Sequence, residues 1–238
     1  MLAVFFILIA FLFVGKKGHK GIDISHHQGK IQWEQLSYLR LYNFVLYFLD
    51  KVEFVYIKAT EGVNYVDKLY KHNLSEAKKQ GILVGSYHFF RADKSGKEQF
   101  EHFKSIIGSD FDLIPVLDLE ELGGKISDKA KYKNEVLAFV ECFESFYGYK
   151  PYVYGSYSFM KDFVYPVAEE CDYWLAWYSP LAKAIKDKRR FLNKVRPGLH
   201  ARMWQYSDKG KIKGITGDVD LDECWEIEDI KVKKNNVQ

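Results

Sequence analysis

The sequence predicts an α/β protein, an irregular (β/α)8-type barrel whose last two strands are joined by a short hairpin. Three observations predict it. Short β-type runs recur after Gly21, polar segments with helical spacing separate most of them, and the final connection is too short to hold a helix. Strands alternating with helices build βαβ units and a parallel sheet. Eight such strands in about 215 residues fit a (β/α)8-type barrel.

Before the first strand stands Leu2–Val14, an uninterrupted apolar run followed by Lys16, Lys17 and Lys20. A bilayer-spanning helix needs about 20 residues, so the run is short for a span and matches the apolar region of a signal peptide. The positive charges that usually precede such a region are missing, and no Ala-x-Ala-like cleavage site follows. Residues 1–17 are read as a leader, either signal peptide or membrane anchor, and 18–238 as one barrel domain. An exported protein follows from this reading: secreted, periplasmic or anchored at the envelope, with membrane attachment through the apolar run.

The first four expected strands are Gly21–Ser25 (GIDIS), Phe54–Thr60 (FVYIKAT), Val84–Phe90 (VGSYHFF) and Leu113–Glu120 (LIPVLDLE). The second half supplies Pro151–Ser156 (PYVYGS), Tyr173–Ser179 (YWLAWYS), Ala201–Ser207 (ARMWQYS) and Gly217–Glu223 (GDVDLDE). Helical spacing runs over Tyr65–Gln80, Lys97–Ile107 and Ser127–Tyr147; the last opens on Ser127-Asp128, an acceptable N-cap pair, and ends before Gly148. Between the seventh and eighth strands lies only DKGKIKGIT, Asp208 to Thr216. A parallel crossover needs a dozen or more residues, so this connection is a hairpin and the eighth strand runs antiparallel. No internal repeat, low-complexity tract or interdomain linker interrupts the pattern.

Composition narrows the function classes. Hydrophobic residues make up 47% and charged residues 28%, which supports a large core and excludes wholesale disorder. A net charge of +3, with no Lys/Arg stripe carrying interleaved aromatics, gives no footprint for nucleic acid. None of the three cysteines (Cys142, Cys171, Cys224) belongs to a CxxC pair, and no HExxH occurs among the seven histidines. His26 and His27 are neighbours, which on a strand would point to opposite faces. No metal or cofactor is expected, and a monomer is expected. The 17% of aromatic residues lean towards a ligand with flat apolar faces.

In a barrel of this type the active site lies at the C-terminal strand ends. Those ends carry Asp23, Lys58, Tyr87, Asp118 with Glu120, Tyr154, Trp174 with Tyr178, Gln205 and Asp220. Asp118 and Glu120 are two apart on one strand, so they share a face, with Cα atoms about 6.6 Å apart. Each carboxylate raises its neighbour's proton affinity, which gives one ionised and one protonated group near neutral pH. Glycosidic bond hydrolysis needs that division: an acid for the leaving oxygen and a carboxylate for the cationic transition state. Trp174, Ala176 and Tyr178 alternate with Tyr173, Leu175 and Trp177 and share one face. His88 and the His26/His27 pair are read as structural hydrogen-bonders.

GIDISHHQG, FVYIKATEG, GSYHFF, the DLE of LIPVLDLEE, the W-x-A-x-Y of YWLAWY, WQYS and the closing VDLD follow one another in order. In this register, from Gly21 to Trp225, the chain resembles the glycoside hydrolase family 25 lysozymes, the Chalaropsis-type N-acetylmuramidases. The resemblance implies an irregular β/α barrel that cleaves the β-1,4 bond between N-acetylmuramic acid and N-acetylglucosamine, with peptidoglycan glycan strands as partner. Carried over by motif, Glu120 is the proton donor and Asp118 orients the substrate's acetamido group or acts as the second carboxylate. Asp23 and Asp220 are the family's other two groove acids. Tyr87, Tyr154, Trp174 and Tyr178 would contact sugar, with Lys58 and Gln205 as polar contacts. The eighth motif usually reads Val-Asp-x-Asn, whereas this chain carries Asp222 at the last place.

Two other readings fit parts of the pattern. A chitinase-like barrel glycosidase also ends its fourth strand on Asp-x-Glu, but its longer Asp-rich run is replaced here by Ile114, Pro115 and Val116. A catalytically inactive cell-wall binding module would not need all four carboxylates.

Overall fold

The structure, a computed structural model, describes residues 18–42, 46–164, 171–178 and 200–233. The leader assigned to residues 1–17 lies outside the described residues. Eight strands close a barrel: β1 (His19–Ile24), β4 (Phe54–Glu61), β6 (Leu83–Phe89), β7 (Val116–Asp118), β8 (Tyr152–Ser156), β9 (Tyr173–Ala176), β10 (Ala201–Gly210) and β11 (Val219–Cys224). Their order around the wall is β1-β4-β6-β7-β8-β9-β10-β11, and β11 returns to β1. Every neighbouring pair is parallel except β10–β11 and β1–β11. The eighth barrel strand therefore runs antiparallel, as the short hairpin connection requires.

Helices α1 (Tyr70–Lys79), α2 (Gly96–Ile107) and α3 (Lys129–Tyr147) form the crossovers β4-α1-β6, β6-α2-β7 and β7-α3-β8. In α3 the Asp128 carboxylate accepts hydrogen bonds from the Ala130 and Lys131 N–H groups, which satisfies two donors that a helix start leaves open. Gly148 closes the helix at φ 78°, the left-handed conformation that glycine adopts without a Cβ clash. Tyr132, Val136, Phe139, Val140, Phe143 and Tyr147 are buried at helical spacing and face the barrel's outer wall. The barrel interior is a separate cluster built on Phe54, Tyr56, Val116, Tyr152, Tyr154, Trp174 and Met203. Gly21 and Gly85 are required there: a Cβ at either would lie 2.1 Å from the Phe54 ring or 2.2 Å from the Tyr56 ring.

Three expectations are adjusted. The segment Tyr65–Gln80 is not helical throughout, because Tyr65 and Val66 form β5 (Tyr65–Val66) against Glu61 and Thr60, and the helix starts at Tyr70. The fourth barrel strand is regular only over Val116–Asp118, since Leu113 instead bridges Lys231 and Pro115 has no N–H to donate. An antiparallel ribbon, β2 (Ser37–Tyr42) with β3 (Leu46–Lys51), stands between β1 and β4 and was not anticipated.

Candidate active site

A cleft of about 270 Å³ opens at the C-terminal ends of the parallel strands, and all ten predicted site residues line it. Each arrives on a barrel strand or just beyond one. Asp23 is the penultimate residue of β1, Lys58 and Tyr87 lie near the ends of β4 and β6, Asp118 ends β7, and Tyr154 lies near the end of β8. Trp174 sits in β9 with Tyr178 two residues past its end, Gln205 is in β10, and Asp220 is near the start of the antiparallel β11. Phe89 and His27 also line the cleft. Sequence reading had not selected them, although Phe89 follows Tyr87 on β6 at the period that returns to the same face.

Asp118 and Glu120 share the cleft as their spacing predicts. Glu120 lies beyond the last paired residue of β7, yet its backbone stays extended (φ −134°, ψ 160°), so the alternation of the strand continues to it. Asp118 is 6% exposed, and its Oδ1 has no hydrogen-bond partner among the described residues. Burial and then the Glu120 charge hold the Asp118 carboxyl well above the usual carboxylate range. Burial also raises Glu120; a hydrogen bond with Tyr154 and the charge of Lys58 partly oppose it. The two acids therefore titrate as a pair.

Asp23 and Asp220 meet from the other side. They are directly opposite in the β1–β11 ladder. Burial raises both, Asp23 well above its usual range and Asp220 to about 6, and each is pushed further by neighbouring carboxylates. Gln205 joins them to the aromatic wall. Its Nε2 donates to Asp23 Oδ2 at 2.7 Å, while its Oε1 accepts from the Tyr154 hydroxyl at 2.7 Å and from the Tyr178 hydroxyl. The Tyr154 hydroxyl carries one proton, so it serves Gln205 or Glu120 at a given moment, and Tyr178 is a second donor to Gln205.

Lys58 supplies positive charge beside the acids. Its Nζ donates to Glu61 at 2.6 Å and lies 4.5 Å from the centre of the Phe89 ring. Glu61 also pairs with Arg91, whose Nε donates at 2.8 Å, so the Lys58 ammonium is held between an anion and an aromatic face. Trp174 is 2% exposed, donates its indole N–H to Asp222 Oδ1 at 3.1 Å and packs 4.9 Å from Tyr154 and 5.0 Å from Tyr56. Tyr178 is half-exposed at the rim. The shared face of Trp174 and Tyr178 thus looks into the cleft.

His88 and His26 behave as structural groups, whereas His27 lines the cleft. His88 is fully buried between Thr60 Oγ1 (2.7 Å) and Gln99 Oε1 (3.2 Å), and burial pushes it down to about 3, so it is neutral. His26 pairs with the buried Asp67 at 2.7 Å. Among the described residues, no cluster of His, Cys, Asp and Glu has the arrangement to hold a metal ion.

Comparison with known proteins gives the same architecture. An uncharacterised protein, YegX of Escherichia coli K12, is 32% identical over 202 residues, covering 84% of this chain and 67% of that one. The autolytic lysozyme of Clostridium acetobutylicum is 31% identical over 209 residues, covering 87% of this chain and 56% of the lysozyme. The crystal structure of a bacterial lysozyme from Streptomyces coelicolor superposes with a TM-score of 0.69 at 27% identity, over 87% of this chain and 92% of that one. The profile described as Glycosyl hydrolases family 25 matches residues 22–215, a span that includes every site residue named above except Asp220. With that match over most of its length and a barrel of the same shape, the chain belongs to glycosyl hydrolase family 25 and is a glycosidase.

Proposed function

We propose that this protein is an N-acetylmuramidase that cleaves the β-1,4 bond between N-acetylmuramic acid and N-acetylglucosamine in peptidoglycan, with Glu120 as acid and Asp118 assisting the substrate's acetamido group. The observation that carries the reading is the unpartnered Asp118 Oδ1, buried at the cleft beside a second carboxyl of raised proton affinity. A buried acceptor without a donor awaits one, and an acetamido N–H is a donor of the right kind. In the free protein the pair holds its proton tightly. An N–H donated to Asp118 favours its ionised form and moves the shared proton to Glu120, where the leaving oxygen needs it.

Asp118 then stabilises the acetamido group as its oxygen attacks the anomeric carbon, and Glu120 gives its proton to the departing sugar oxygen. Water opens the resulting cyclic intermediate, with Glu120 taking a proton back, so configuration is retained. This is one of the recognised exceptions to the scheme with a carboxylate nucleophile. Asp118 and Glu120 project side by side from one strand, which makes Asp118 a poor candidate for attack on the ring face opposite the leaving group. Tyr87, Tyr154, Trp174 and Tyr178 supply the flat faces, and Lys58 and Gln205 the polar contacts, for a glycan strand.

A peptidoglycan substrate puts the enzyme's work at the cell envelope. In this reading the apolar run Leu2–Val14 serves export or anchoring; among the described residues no helix is long and apolar enough to cross a membrane. The test is Glu120→Gln together with mass spectrometry of fragments released from purified peptidoglycan. Muramic acid at the new reducing ends is expected from the unaltered protein, and a loss of about 10²–10⁴ in rate is expected from the variant, the usual worth of general acid catalysis. Glucosamine at the new reducing ends, or a variant keeping more than about a tenth of the rate, would overturn the assignment.

A further inference from the structure

Arg91 does not line the cleft; it stands on the connection from β6 to α2, yet its contacts converge on a side chain that does. Its guanidinium grips one oxygen of Glu61 with two donors: Nε donates to Oε1 at 2.8 Å, and Nη2 donates to the same atom. The other oxygen, Oε2, accepts from the Lys58 ammonium at 2.6 Å. One carboxylate is thus divided between two cations. Both cations lie against the Phe89 ring, with Lys58 Nζ 4.5 Å and Arg91 Cζ 5.3 Å from its centre. Against the cost of burial, the hydrogen bonds and charges of Lys58 and Arg91 hold the Glu61 carboxyl below its usual range, so it is an anion.

The Arg91 backbone is held too. Gln99, 0% exposed on α2, accepts the Arg91 N–H at 2.7 Å and donates to the Arg91 C=O at 3.1 Å, which fixes the orientation of its amide. His88 Nε2 lies 3.2 Å from the same Gln99 oxygen. That oxygen only accepts, so the neutral His88 ring carries its proton on Nε2 and accepts the Thr60 hydroxyl at Nδ1. On either side of Arg91, the Gly62 N–H donates to the Phe89 C=O at 3.2 Å and the Phe90 N–H donates to the Asp118 C=O at 3.0 Å. The segment is therefore tied to the ends of β4 and β7, the strands that carry Lys58 and Asp118. An ordinary surface ion pair contributes little because both side chains must be immobilised to form it. Here the backbone of Arg91 is already fixed, and a guanidinium presents its donors in a rigid plane.

We propose that Arg91 is a positioning residue for the reaction: by orienting the Glu61 carboxylate it holds the Lys58 ammonium at the Phe89 wall of the cleft, and so leaves Asp118 Oδ1 open to substrate. Lys58 is 8% exposed and shares the cleft lining with Asp118 and Glu120, while Asp118 Oδ1 has no partner among the described residues. A lysine carries its charge on a flexible four-carbon stem, so its place depends on what holds the ammonium. The Lys58 charge also favours the ionised forms of Asp118 and Glu120, which makes that place matter to both acids. The inference rests on the muramidase reading for its activity assay alone; a labelling assay tests it without substrate.

The test compares Arg91→Met, Glu61→Gln and the double variant in the full chain. Arg91→Met keeps an apolar stem against Phe89 but loses the charge and both donors, and kcat/KM on peptidoglycan is expected to fall about fivefold or more. Glu61→Gln should lose at least as much. Because Arg91 acts through Glu61, adding Arg91→Met to Glu61→Gln should cost less than about twofold further. Labelling of Lys58 by acetic anhydride, read by mass spectrometry, should rise about threefold or more in Arg91→Met as the released side chain swings into the cleft. Losses that multiply in the double variant, or Lys58 labelling unchanged by Arg91→Met, would overturn the proposal. So would a lowered Tm with kcat/KM unchanged, the mark of a purely structural arginine. If Arg91→Met does not fold, Arg91→Gln, which lacks the charge and the paired donors, must show the same rise in labelling. An unaltered protein inactive on peptidoglycan would contradict the muramidase reading and leave the labelling of Lys58 to judge Arg91.

Discussion

Gln205→Met would remove the polar hub of the cleft while keeping nearly the same volume. Gln205 is 2% exposed and makes three side-chain hydrogen bonds: one donated to Asp23 and two accepted from Tyr154 and Tyr178. A hydrogen bond to a charged group contributes about 1.5–3 kcal/mol and one between neutral groups about 1 kcal/mol. Tyr178 is half-exposed and water replaces its partner, so its bond adds nothing to the loss. The expected destabilisation is about 3 kcal/mol, which for a chain of this size lowers Tm by about 6–12 °C. Loss of the amide donor also removes a contact that lowers the proton affinity of Asp23, so that carboxyl moves further up. Differential scanning calorimetry and kcat/KM on purified peptidoglycan measure both effects, and about a tenfold loss of kcat/KM is expected from the misplaced Asp23 and Tyr154. A Tm shift below about 2 °C with unchanged kcat/KM would refute the hub.

Two further predictions follow from charge and from chain organisation. The Asp220 carboxyl rises from 3.8 to about 6 on folding, so above the unfolded value the folded state must hold a proton that the unfolded state releases. Its stability contribution is complete below about 4 and is lost as pH rises to about 6; Asp220→Asn should therefore gain on the unaltered protein across that interval, and calorimetry showing a gain that shrinks with rising pH would contradict the burial argument. A chain lacking Met1–Lys17 should be soluble, folded and active, as judged by circular dichroism and loss of turbidity of a cell-wall suspension, and an unfolded product would show that the apolar run belongs to the core.

The parts of this molecule legible in its sequence were those governed by local pattern. Apolar runs bounded by polar segments located the eight barrel strands, and the shortness of Asp208–Thr216 set the direction of the last one. Period-two spacing placed Asp118 with Glu120 and Trp174 with Tyr178 on cleft-facing sides. What the sequence concealed depends on register between distant strands. The Gln205 contacts join β10 to β1 and β8, and the Trp174 N–H bond to Asp222 joins β9 to β11, so neither is written in a local window. Local pattern also misled at Tyr65, where a pairing with Glu61 overrides the helical spacing of the segment that follows. The β2–β3 ribbon escaped notice because Ser37–Lys51 is rich in apolar and aromatic residues with no Gly or Pro to mark its turn.

In the proposed mechanism the substrate's acetamido group, held by Asp118, does the work of a nucleophile. The most direct measurement is the ratio of kcat/KM for ordinary peptidoglycan to that for peptidoglycan lacking the acetyl group on its muramic acid. A ratio above about 100 is expected, because the deacetylated sugar offers neither the attacking oxygen nor the amide N–H for Asp118. A ratio near one would contradict it and turn attention to Asp23 or Asp220 as the base that activates water.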